Sequence, residues 1–254
     1  MSLSTEIVYT QIENKSVYYV NNVVRGIEDQ LTTGTTTLGS VNREIKYKFN
    51  ENISLDIKST DANDTSAGGI GAKTLIVNGL WCDTSDSNRL IERAAIFDLD
   101  GTSSASLVSG INSFAVINDM VVDTFGSENT NVGRLDAVAI GTTDLFSTIQ
   151  IRHSKSNTFS HAVPSSKTML VKEIHISSMC HTACELELYE QSLNSGRKTL
   201  ISKIHLNSNS THIHQPLNHK VPSHYVFYAM LLPLEPILAE DTNHICCNIT
   251  SLVA

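Results

Sequence analysis

Three stretches of this 254-residue chain carry residue types and spacings that support chemistry elsewhere. The first, FDLDGT at 97–102, follows the apolar Ala94–Ile96 and sets Asp98 two positions before Asp100. A first aspartate so placed can attack phosphorus while the second serves as acid and base. That reaction also needs a Ser/Thr and a Lys for the phosphate, an acidic pair for Mg²⁺, and a parallel sheet with crossover helices. Neither helical stretches nor a Gly-Asp-x-x-x-Asp segment follow Thr102, so Asp100-Gly101 is expected to be a hairpin turn. The second stretch, SAGGIGAKT at 66–74, looks like a phosphate-binding loop but precedes a strand, and it lacks the helix dipole such a loop exploits.

The third is histidine-rich. All ten histidines lie between His153 and His244, among them CHTAC at 180–184 and HIH at 212–214. The strand period of two puts His212 and His214 on one face, where they share an ion only if a third ligand approaches. Cys180 and Cys184 are separated by three residues rather than the two usual in zinc knuckles. Cys246 and Cys247 are adjacent on one strand and point to opposite faces. We therefore expect surface or interface histidines, with a protonation-sensitive interface as the alternative. No catalytic, cofactor-binding or metal residue is assigned.

These stretches are positioned by strands. Hydrophobic residues make up 41% of the chain and charged residues only 17%, so Ser, Thr and Asn supply the polarity. Such residues suit strand faces and turns better than helix surfaces. A net charge of −8 argues against a nucleic-acid-binding surface. No basic region followed by an apolar block opens the chain, so no secretory signal is expected. VFYAMLLPL at 226–234 is the longest apolar run, too short for a membrane span. Five cysteines, an odd number without a signal, are expected to be reduced and buried.

Residues 5–24 read as a strand pair or extended arm, 25–30 as one helical turn and 31–40 as a loop. Ile45, Tyr47 and Phe49, then Ile53, Leu55 and Ile57, alternate as strands do. In the segment 59–80, Gly68, Gly69 and Gly71 can take positive φ, and Asp61, Asn63 and Asp64 can bond their own backbone in turns. Thr74–Val77 reads as a strand closed by a turn at Asn78-Gly79. The modest helix candidate is 86–95, with Asp86 or Ser87 as N-cap. Strands spaced at roughly 10–15 residues continue to the end, the pattern of a sandwich. The expected fold is all-β: an N-terminal arm or strand pair (1–43), a first β-sandwich (44–151) and a second, jelly-roll-like β-sandwich (152–254).

Asp64, Thr65, Ala67, Gly68, Gly71, Ala72, Thr74, Gly79 and Leu80 form an ordered series, followed by Gly101, Thr102, Asn112, Phe114, Asn131 and Gly133. With HAVPSSKTMLVKEIHIS at 161–177, this series resembles a family of virion structural proteins of tailed phages, especially marine ones, and of large algal DNA viruses. The resemblance covers roughly residues 55–250. Ser166 stands where that family carries Gly, and the helix candidate at 86–95 corresponds to a hairpin arm. The resemblance implies a non-enzymatic minor capsid, vertex, decoration or fibre-associated component, located in a virion assembled inside the host cell. Its partners would be other capsid proteins and further copies of itself, with the N-terminal segment added to a neighbour's sheet. The alternative is a displayed glycan- or receptor-binding module, with Tyr225, Phe227 and Tyr228 lining the sugar site; Trp81 is the single tryptophan.

Overall fold

Leu55, Ile57 and Ser59 are buried while Ser54 and Lys58 are exposed, and this alternation recurs through the molecule. The computed structural model describes residues 18–24, 36–37, 51–86, 88–142, 145–156, 160–179, 183–207, 210–234 and 244–254. The described residues are all β, without a helix, in antiparallel sheets. The strands are β1 (Tyr18–Val24), β2 (Thr36–Thr37), β3 (Ile53–Ser59), β4 (Ala72–Asp83), β5 (Arg89–Asp100) and β6 (Ser103–Gly110). Next come β7 (Ser113–Phe114), β8 (Val116–Phe125), β9 (Leu135–Ala139), β10 (Leu145–Ile149), β11 (Ser160–Ala162) and β12 (Met169–Met179). The last are β13 (Cys184–Ser192), β14 (Lys198–Leu206), β15 (Ser210–Val221), β16 (Tyr225–Pro233) and β17 (His244–Val253).

The chain divides into two units. One is the continuous stretch Gly39–Ala162; the other joins Met1–Leu38 to Val163–Ala254. In the continuous unit, a sheet ordered β10-β9-β3-β7 faces a sheet ordered β6-β5-β4-β8. Leu55, Ile57 and Ala137 from the first meet Leu75, Val77, Phe97 and Met120 from the second in one apolar core. This is a β-sandwich.

The discontinuous unit has a more specific topology. Its strands, in chain order, are β1, β2 and β12 through β17. One sheet runs β1-β17-β12-β15. In the other, β2 pairs β16, and β13 lies between β16 and β14. Counted within the unit, the orders are first-eighth-third-sixth and second-seventh-fourth-fifth. That is the eight-stranded jelly roll, two sheets wound as a double Greek key. Met169, Ile174 and Ile176 on β12 and Leu186, Leu188 and Leu206 on the opposite sheet are buried. The sandwich unit is inserted between the second and third strands of this jelly roll. The N-terminal segment is therefore not an arm in its described parts. β1 pairs along its length with β17 of the same chain, from Tyr18↔Val253 to Val24↔Cys247. The helical turn expected at 25–30 lies outside the described residues.

Two local expectations are corrected. Residues 89–100 form a strand rather than continuing a helix from 86: ten consecutive positions of β4 pair with β5, from Thr74↔Asp98 to Asp83↔Arg89. Burial of Ala95, Phe97 and Leu99 follows the strand period, which outlasts the single helical turn of apolar spacing before it. Nor does Asn78-Gly79 form a turn, since β4 runs through it. The register against β8 shifts between Asn78 and Gly79, and a Cβ on Gly79 would lie 2.2 Å from the Val116 carbonyl oxygen. Glycine is required there by a neighbouring strand.

Candidate functional site

Asp98 and Asp100 sit on β5, and Asp100 pairs with Ser103 across a two-residue turn at Gly101-Thr102. Gly101 has φ +59° and donates its N–H to the Asp64 carbonyl at 2.8 Å. The motif that mimics a phosphatase nucleophile is a hairpin end, with its turn at Gly101-Thr102, one residue later than the expected Asp100-Gly101. The glycine-rich loop at 66–71 leads directly into β4.

The organising group of this region is Asp64, whose role is not legible in the sequence. Asp61 does bond its own turn, accepting from Asn63 N–H at 2.8 Å. Asp64 instead is fully buried and reaches across the fold. Its Oδ1 accepts from the N–H groups of Ala72 (2.7 Å) and Val132 (2.9 Å). Its Oδ2 accepts from Gly133 N–H (2.7 Å) and the Ser59 hydroxyl (2.6 Å). Four donors around one carboxylate replace its hydration, the condition for burying a charge at tolerable cost. Gly71 completes the fit, because a Cβ there would lie 2.1 Å from Asp64 Oδ1. Of the three glycines that can take positive φ in this segment, Gly68 (+85°) does so. Buried Asn131 donates to the carbonyls of Gly133 (2.6 Å) and Gln150 (2.8 Å) and holds the facing loop. The signals in the sequence are Asp64 itself, Gly71 and Ala72, and the distant Asn131-x-Gly133.

In the jelly roll, the expected His212 and His214 pair is exposed on β15 as alternation requires. The residues gathered with His214 are different ones. His175 on β12 is directly opposite His214, and the two rings stack at 4.2 Å with 8° between planes. Glu173 Oε1 lies 3.4 Å from His175 Nε2 and its Oε2 3.0 Å from His214 Nε2. Hydrogen bonding from His214, then from His175, holds the Glu173 carboxyl below the usual carboxylate range. Cys180 lies outside the described residues, and Cys184 is buried at the start of β13. Cys246 and Cys247 occupy β17 positions opposite Ser177 and Ile176.

A second polar cluster lies on β13 and β14. Lys203 Nζ is 2.7 Å from Glu185 Oε1 and 2.5 Å from Glu187 Oε1, and Tyr189 donates its hydroxyl to Glu187. Both glutamates are buried. Burial pushes the Glu187 carboxyl up, but the Lys203 ammonium and Tyr189 hydroxyl outweigh it and hold the group low. Burial and then the Glu187 carboxylate push the Tyr189 phenol up to about 12.

The aromatic set considered for sugar binding does not offer a stacking surface: Phe227 and Tyr228 are buried and Tyr225 is half-buried. Trp81 is half-buried on β4, with the Arg93 guanidinium 6.0 Å from its ring centre. Among the described residues, no helix is long and apolar enough to cross a membrane.

No protein-family model matches the chain, and comparison with curated proteins yields no match. Solved structures similar to it include infectious bursal disease virus, Gt strain, at 9% identity, covering 93% of this chain and 71% of that one, with a TM-score of 0.21. T=1 particles derived from infectious bursal virus share 8% identity over 85% of this chain and 72% of that one, TM-score 0.22. The VP2 subviral particle of infectious bursal disease virus shares 8% over 93% and 71%, TM-score 0.21. Likeness at these TM-scores carries no weight, and the fold rests on strand order.

Proposed function

We propose that this chain is a non-enzymatic structural protein of a virus particle, acting by assembly with further copies of itself and with other virion proteins. The observation that carries this reading is the jelly-roll strand order, a wall-building architecture of many viral capsids, with a second β-sandwich inserted in it. Fold alone does not establish function, so a second line of support matters. The dispersed residues that resemble the virion family converge in space. Asp64 bonds Ala72, Gly101 and Gly133, Asn131 bonds Gly133, and Gly79 abuts Phe114. Five of them, Asp64, Ala72, Gly101, Asn131 and Gly133, meet around one buried carboxylate, and that supports the reading.

On this reading the position in the particle is that of a minor capsid, vertex, decoration or fibre-associated component. Weighing and imaging the purified protein tests it. A symmetric closed oligomer or shell is expected, together with labelling of intact particles by an antibody raised against the chain. A strictly monomeric protein that no particle contains would sink the proposal. So would turnover in a phosphatase screen with Mg²⁺ that is abolished by Asp98→Asn.

A further inference from the structure

The Glu173, His175 and His214 cluster gathers two imidazoles and one carboxylate on the outward face of one sheet. An exposed His–Glu pair contributes little to stability, and stacking two imidazoles face to face is not needed to make one. A β-bulge explains the arrangement. The β12 register slips between Val171 and Glu173. Without the slip, residues 171 and 173 would share a face; with it, Val171 is buried while Glu173 turns outward beside His175. The pairing His175↔His214 then places the second imidazole directly across. Three donors from two hydrogen-bonded strands are thus held in place by the backbone.

We propose that these three side chains bind one divalent transition-metal ion of the zinc type. Two imidazoles and one carboxylate are a zinc donor set. Ligand atoms on one tetrahedral ion stand about 3.3 Å apart, from metal–ligand distances near 2 Å. Glu173 Oε1 lies 3.4 Å from His175 Nε2 and its Oε2 lies 3.0 Å from His214 Nε2, and one ligand atom from each of the three residues falls within a 4.8 Å span. The ion neutralises the carboxylate, takes the imidazole lone pairs once each ring turns about its side-chain bonds out of the 8° stack, and leaves a fourth position for water. It also staples β15, at the edge of its sheet, to β12. A metal that binds only the folded state stabilises that state by mass action.

Calorimetric titration of the chelator-treated full chain with Zn²⁺ tests this. One saturable Zn²⁺ per chain is expected, with Mg²⁺ bound far more weakly. Glu173→Gln, His175→Ala and His214→Ala should each weaken Zn²⁺ binding at least tenfold, whereas His205→Ala, on the other sheet, leaves it unchanged. Melting of the metal-free variants checks that each is folded. X-ray absorption at the zinc edge of the wild-type complex gives an independent readout, with two imidazole neighbours expected. No saturable binding, a smaller loss in the variants, or an edge spectrum without imidazole scattering would overturn the site.

Discussion

The Gly133 N–H points at Asp64 Oδ2 from 2.7 Å, joining residues 69 positions apart in the chain. Two loops that approach only in the folded state are fastened by this contact and its neighbour at Val132. Asp64→Asn would set an amide NH₂ against N–H donors in either orientation. We expect a loss of about 3 kcal/mol, the range for hydrogen bonds to a buried charge plus an unpaired donor. Urea unfolding of the variant against wild type measures it. A change under about 1 kcal/mol, the worth of one ordinary hydrogen bond, would contradict the role assigned to Asp64.

Gly79→Ala tests the close approach of β4 to β8. The added methyl would fall 2.2 Å from the Val116 carbonyl oxygen and 2.7 Å from Phe114 Cδ1. Backbone cannot yield as a flexible side chain does, so a cost of about 2–3 kcal/mol is expected, at the upper end of overpacking effects. A melting temperature equal to wild type would show that the strands separate freely.

Ser166 has φ +65° in the turn where Lys167 N–H bonds the Pro164 carbonyl at 3.3 Å. A serine holds a left-handed position that glycine would fill without a steric cost. A left-handed residue with a Cβ costs about 1–2 kcal/mol, partly offset by the greater freedom of glycine in the unfolded chain. Ser166→Gly should therefore stabilise by roughly 0.5–1 kcal/mol. Thermal unfolding decides the sign, and a destabilised variant would contradict this account of the turn.

Alkaline pH probes the Tyr189–Glu187 contact. The folded phenol titrates at about 12 against roughly 10 when unfolded. A raised folded value means the contribution is complete below the unfolded value and is lost as pH rises through the folded one. Wild-type denaturation midpoints should fall between about pH 10 and 12 more steeply than those of Tyr189→Phe. Lys203 is raised in the same direction by Glu185 and Glu187, but it is common to both proteins and drops out of the comparison. Parallel profiles would remove the contact from the stability account.

The inserted unit should fold when expressed alone. Its apolar core draws only on strands β3 to β10, all within Gly39–Ala162. We expect cooperative unfolding and dispersed amide resonances from that fragment. A collapsed spectrum would show that its sheets depend on the rest of the chain.

The all-β class follows from local patterning along the chain. Alternation at Leu55 and Ile57 reads as strand because side-chain direction in an extended chain is set by the backbone two residues at a time. The turn after Asp100 is legible locally because Gly101 takes a positive φ freely, although its central residues are Gly101 and Thr102. Other features were decided only when strands paired. The helical spacing at 89–95 yielded to ten paired positions with β4, and Gly79 owes its identity to a carbonyl 37 positions along the chain. His175 met His214 rather than His212 because partners across a sheet follow from register, which is a property of two strands together. Asp64 looked like a turn residue until folding brought Val132 and Gly133 to it. The jelly roll needed all eight strands, two of them from the far end of the chain, since winding order is not written in any one segment.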